Sequence, residues 1–263
     1  MKRHLWFALK SLIVLACLLT IWHVAVIALH IPKYILPGPW PVAEAVRDRF
    51  PDLANSLLLT TEAAAMGLAG SVIVGVAVAL VFAQWRALRQ LLFPYTILLQ
   101  TVPIVAIAPL IIMWAGSGIY SVALIAFIIC LAPIIANTTQ GLISVDENLL
   151  HLFLMHNATR MQVLFKLRLP NALPNLFVGI RISSGIAVVG AIVGELFASS
   201  SRVGVGGLGY AITYASAQLE TDYLFALVFA ATVLGFAFFF IGMFLEWYFL
   251  HNWHESNRSE IPD

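Results

Sequence analysis

The chain has 263 residues, 61% of them hydrophobic and only 10% charged, with a formal net charge of +1. A soluble domain carries about 25% charge to cover its surface, so a soluble enzyme is excluded, and so small a net charge leaves no basic face for nucleic acid. No charge occurs from Gln90 to Val145, from Ala63 to Trp85 or from Tyr223 to Leu245. These runs exceed the roughly 20 residues that cross a bilayer's hydrocarbon as helix, and the chain reads as a polytopic, all-α membrane protein.

Six apolar segments are predicted, bounded by charge and by Pro/Gly clusters. The first lies near 11–31. The basic start Met1-Lys2-Arg3-His4 suggests a signal peptide, but the apolar run is too long and no small-x-small cleavage site follows. Val14-Leu15-Ala16-Cys17 is a faint lipoprotein-like match inside an unbroken apolar run. An uncleaved first span is expected. Residues 32–55, with Pro32, Pro37, Pro39, Pro41 and Pro51, form an outer loop with a short surface helix.

Spans two, three and four are predicted near 61–83, 94–114 and 119–139, the last two divided by Trp114-Ala115-Gly116-Ser117-Gly118. An inner loop at 140–175 follows, and Pro170 and Pro174 are expected to end its helical potential. The loop carries Leu149, Leu150, Leu152, Phe153, Leu154 and Met155. This stripe either packs against the loop's own membrane ends or is presented to the groove of a soluble partner. The fifth span, near 177–198, has only 13 residues between Arg181 and Glu195, so at least one of those charges is expected at depth or near an interface. The sixth lies near 223–246, and the whole chain, 1–263, reads as a single membrane domain.

Orientation follows from the basic residues of the loops. Lys2, Arg3, Lys10, Arg86, Arg89, Arg160, Lys166, Arg168 and Arg258 fall on one side, against Lys33, Arg47, Arg49 and Arg202 on the other. Both termini are therefore expected inside.

Motifs of soluble catalysis are missing: there is no H-E-x-x-H, G-x-S-x-G or Walker A sequence. Gly204-Val205-Gly206-Gly207-Leu208-Gly209 fits the dinucleotide pattern G-x-G-x-x-G. It lacks the preceding strand that the pattern needs, and reads as flexible backbone at a membrane boundary. Two carboxylates, Glu62 and Glu195, fall within predicted spans, where ionisable groups face a bundle interior or a water-filled path. Glu195 is placed near the inner end of its span, with a charge snorkelling at the outer interface as the alternative. Cys17 and Cys130 read as small hydrophobes.

From Asn157 the run is NATRMQVLFKLRLPNALPNLFVGIRISSGIAVVGAIVGEL, with GVGGLGYAI further on. Elsewhere stand Tyr34-Ile35-Leu36-Pro37-Gly38-Pro39, Gln100-Thr101-Val102-Pro103, Pro109-Leu110 and Asp146-Glu147. Together these resemble the inner-membrane permease subunit of binding-protein-dependent ABC importers. The subgroup is the nitrate/sulfonate/taurine type, which includes permeases for thiamine pyrimidine precursors.

The resemblance implies the type I importer fold with six spans in a bacterial inner membrane and no catalytic site or cofactor of its own. It also implies a cytosolic ATPase that binds the ATP, an external substrate-binding protein and a second permease copy, a homodimer. Carried over by position, the ATPase-coupling residues are His151, Leu152, Phe153, Met155, Asn157, Ala158, Arg160, Lys166, Pro170 and Pro174. The loop is expected to be a helix, a turn at Asn157 and a second helix ending before Pro170. Where the family pattern has Glu-Ala-Ala and then Gly, this chain has His151-Leu152-Phe153 and Asn157. Asn tolerates the same left-handed turn, whereas the loss of Glu removes an anionic contact to the ATPase.

Candidates for the translocation path are Glu62, Gln100, Pro103, Asn137, Arg181 and Glu195. Readings from other classes are an intramembrane enzyme using Glu62 or Glu195, and a secondary transporter. Spans two, three, four and six offer no Lys or Arg to clamp an anion. Helix N-termini at Pro or Gly breaks can bind one without a cation, and a neutral heterocycle fits an apolar path equally well.

Overall fold

The computed structural model describes residues 2–198 and 206–251. Arg202, Arg258 and the Gly204-Val205 start of the glycine-rich run lie outside them. The elements are α1 (Lys2–Ala28), α2 (Pro39–Asp48), α3 (Phe50–Gln84), α4 (Arg86–Thr101), α5 (Ile104–Ala115), α6 (Ile119–Ile143), α7 (Glu147–Met155), α8 (Arg160–Val163), a π-helical turn (Leu164–Arg168), α9 (Leu169–Phe197), α10 (Leu208–Ala217) and α11 (Thr221–Leu250).

Among the described residues, four continuous helices are long and apolar enough to span a membrane: α3, α6, the stretch Arg160–Phe197 and α11. The fourth predicted span and the sixth coincide closely with α6 and α11. The second begins earlier than its sequence boundary, because Pro51 sits in the first turn of α3, where its missing N–H costs nothing. The 27-residue α1 corresponds to the first predicted span.

The third span departs from expectation. It is two helices, α4 and α5, bent by 98°. Pro103 cannot donate to α4 and holds Val102 extended, at φ −69 and ψ 121. Gly116 and Gly118, at φ 83 and 155, then form the turn into α6.

Helix α6 is the centre. Lipid gives helices no hydrophobic drive to associate, so close approach at small residues does the work. Ala126 is fully buried between two glycines. A Cβ on Gly67 of α3 would stand 2.6 Å from its side chain, and one on Gly190 of α9 2.9 Å from its Cα. Polar side chains add cross-links: the Cys130 thiol donates to the Ser183 carbonyl at 3.3 Å, and the Ser183 hydroxyl donates back to the Cys130 carbonyl at 3.2 Å. Helix α11 runs antiparallel along α9, with Phe177 stacked on Phe249 at 5.4 Å.

At one end, α2, the loop before it and the start of α11 are tied together. Arg49 pairs with Glu220 and lies 3.9 Å over the Tyr223 ring, and the Thr221 hydroxyl donates to the Tyr34 carbonyl at 3.1 Å. The other end carries α7 and α8.

Candidate functional site: a helical hairpin between spans

Asp146 starts the hairpin by accepting the amides of Asn148 at 2.7 Å and Leu149 at 3.4 Å, a helix N-cap. Helix α7 stops at Asn157, whose φ is 55. The Asn157 amide donates to Leu154 O and the Ala158 amide to Phe153 O, both at 3.0 Å, which is the Schellman termination. Asn thus supplies the left-handed residue, as its place in the sequence suggested.

Thr159 then opens α8 through a capping box: its amide donates to the Gln162 side chain at 2.8 Å, and the Gln162 amide to the Thr159 hydroxyl at 3.3 Å. The T-x-x-Q spacing that announces it is visible in the sequence.

The second helix does not end before Pro170. It runs unbroken from Arg160 to Phe197, 38 residues. The π turn at Leu164–Arg168 puts Pro170 in the opening turn of α9, and a π turn is one of the devices that relieves a lost i→i−4 bond. Pro174 is likewise carried inside α9.

The apolar stripe divides between two faces. Leu150 and Phe153 are half-buried, and Leu150 and Leu154 line a cavity of about 230 Å³ with Ala83, Ala158 and Val163. His151, Leu152 and Met155 are exposed, Met155 to 80%. Leu152, Phe153 and Met155 do not share one face: a period of 3.6 places 152 and 155 on one side and 153 on another. Arg160 and Lys166 are exposed. Arg168 turns inward instead, donating to Ala83 O at 2.7 Å and capping the carbonyl end of α3. The Asn171 side-chain Nδ2 donates to Gly141 O at 3.1 Å. The hairpin is therefore fastened to the ends of α3 and α6.

The path candidates are dispersed. Glu62 is exposed on α3, and Gln100 and Pro103 are exposed at the α4–α5 bend. Asn137 is half-buried and donates to Pro133 O within its own helix at 2.8 Å. Arg181 donates to Glu246 at 2.7 Å, a partner the sequence reading did not identify.

Glu195 lies at the end of α9 remote from the hairpin, so its placement near the inner end is corrected. At 6% exposure it does not snorkel either. It accepts from the Thr60 hydroxyl at 2.9 Å and the Gly209 amide at 2.8 Å, while the Leu208 amide donates to Thr60 at 2.8 Å. A carboxylate at a helix N-terminus is a favourable arrangement, and Glu195 caps α10 from another helix. Nothing in the sequence marks Thr60 as its partner.

The model of binding-protein-dependent transport system inner membrane components matches residues 71–250, from the middle of α3 to the end of α11. The chain belongs to that family. It is 33% identical to a riboflavin transport system permease protein of Chloroflexus aurantiacus, over 94% of this chain and 91% of that one. A formylaminopyrimidine transport permease protein of Halalkalibacterium halodurans is 30% identical, over 89% and 92%. The taurine transport system permease protein of Escherichia coli is 29% identical, over 84% and 82%.

The chain is thus a membrane-spanning permease subunit of an ABC importer, a multi-pass inner-membrane protein working with an ATPase and a binding protein. It is a transport component and not itself an enzyme, which sets aside the readings built on catalysis by Glu62 or Glu195.

Proposed function

We propose that the chain carries a small organic solute across the membrane, of the sulfonate/taurine or pyrimidine-precursor kind, and that its hairpin at 147–168 is where the ATPase engages. The observation that carries this is the exposed face of α7, with Leu152 and Met155 beside His151, on a hairpin bolted to three spanning helices. Asn157 and Ala158 form its turn, Arg160 and Lys166 give its exposed charge, and Pro170 and Pro174 lie in the helix that continues it. Phe153, half-buried, lies on a different side of α7.

ATP is bound by the partner subunit, both chain termini lie on the ATPase side, and two copies of this chain form the path. Residues 1–263 act as a single transport domain. Broken helices are where membrane transporters expose backbone groups to a ligand, so the bend at Gln100–Pro103 is the best-placed part of the path, with Glu62 and Asn137 as further candidates. Glu195 and Arg181 are engaged elsewhere. Closing of the ATPase pair moves the hairpin, and the attached helices rock between inward-open and outward-open states.

The test is reconstitution of the permease with its ATPase and binding protein in vesicles. ATP-dependent uptake of taurine or formylaminopyrimidine supports the reading. Uptake of neither solute by a complex that hydrolyses ATP overturns the solute assignment.

A further inference from the structure

Arg181 of α9 and Glu246 of α11 meet beside a cavity of about 380 Å³ lined by those two residues, Met243, Trp247, Leu250 and His251. Met243, Trp247 and Leu250 make the cavity's apolar lining, and elsewhere along α11 Phe236, Phe240, Phe244 and Tyr248 are exposed. Such a surface suits lipid, and Trp and Tyr near a helix end mark the headgroup level. Glu246 lies one turn before Leu250, the last residue of α11, so it is about 6 Å from that end along the helix axis.

The ion pair is incomplete. Its side chains remain 33% and 22% exposed. One guanidinium N–H is matched to one carboxylate oxygen at 2.7 Å, yet the guanidinium has five donors and the carboxylate about four acceptor positions. Polar groups at a lipid-facing wall are costly unless they find partners. Among the described residues Arg181 has no anion besides Glu246, and Glu246 has no donor besides Arg181. A zwitterion bearing a phosphate and a primary ammonium supplies both, through the strong charge-assisted kind of hydrogen bond.

We propose that this cavity binds the headgroup of an aminophospholipid from the leaflet at the hairpin end, phosphate on Arg181 and ammonium on Glu246. The lipid staples α9 to α11 about 20 Å along the helix from the hairpin, so the site ties the moving helix to its surroundings.

The permease–ATPase complex in detergent would be stripped of lipid and given phosphatidylethanolamine, phosphatidylcholine or phosphatidylglycerol. Retained lipid is read by native mass spectrometry, and stability by thermal unfolding. Phosphatidylethanolamine should be retained about tenfold over phosphatidylcholine, whose quaternary nitrogen has no N–H to donate. That factor corresponds to one net hydrogen bond.

Glu246→Gln should raise phosphatidylglycerol to parity, and Arg181→Met with Glu246→Gln should abolish the preference while the ATPase still co-purifies. Equal retention of the three lipids by the native complex overturns the proposal, and is also the result expected if a second copy of the chain covers this face. So does a preference surviving in the double variant. Should that variant fail to assemble, the comparison of headgroups on the native complex decides alone. Because the readout is lipid retention, failure here leaves the transport reading untouched.

Discussion

Thr60 and Glu195, 135 positions apart in the chain, share a 2.9 Å hydrogen bond that joins the start of α3 to the end of α9. Through it the amides of Leu208 and Gly209 are also satisfied. The α10 N-terminus is thus filled by the chain's own carboxylate rather than left open to a solute anion.

Glu195→Leu should lower stability by about 1–3 kcal/mol, the cost of stranding a buried donor. Glu195→Gln keeps an acceptor and should lose less. Gly207→Ala should act like the Leu variant, because a Cβ there would stand 1.9 Å from a Glu195 oxygen. Thermal unfolding and uptake check all three; wild-type behaviour of Glu195→Leu would refute the cap.

Leu152→Ala with Met155→Ala should cut ATPase co-purification sharply while the permease still folds. Each apolar side chain of this size contributes about 1.5–3 kcal/mol when covered. Phe153→Ala should do the reverse, weakening the hairpin more than the docking surface. If the Leu152/Met155 double variant keeps full ATPase association, α7 is not the contact.

Asn157→Gly should be tolerated, since glycine takes φ 55 freely. Asn157→Val should cost at least about 1–2 kcal/mol, the left-handed penalty for an L-residue, and uncouple ATP hydrolysis from uptake. Equal uptake by both variants would count against a fixed turn.

Single cysteines at Asn148 and Asp52, both exposed, should react with impermeant reagent from opposite sides of the membrane. The native Cys130 is buried, and the exposed Cys17 of α1 is replaced by Ser so that only the introduced thiols report. Labelling of both from outside would refute the orientation.

Much of the fold was legible in uncharged runs and glycine turns, because the bilayer enforces length and apolarity directly. The turn at Asn157 was legible for a similar reason: few residues accept its backbone. Pro170 misled, since whether a proline ends a helix depends on whether a neighbouring turn can widen, as Leu164–Arg168 does. Thr60 and Glu246 were invisible as partners because nothing local links residues 135 or 65 apart. That Phe153 points to a different side of α7 from Leu152 and Met155 follows from helical phase, which a count of apolar residues leaves out.

The unbroken helix from Arg160 to Phe197 makes its own length a conserved quantity of the mechanism. Losing one residue between Pro170 and Glu195 would turn everything beyond it by about 100° and draw it in by about 1.5 Å, swinging Glu195 off Thr60. Losing seven would nearly restore the azimuth but shift the carboxylate by about 10 Å in depth. Substitutions along this rod can be graded by size and charge, whereas insertions and deletions cannot be graded at all.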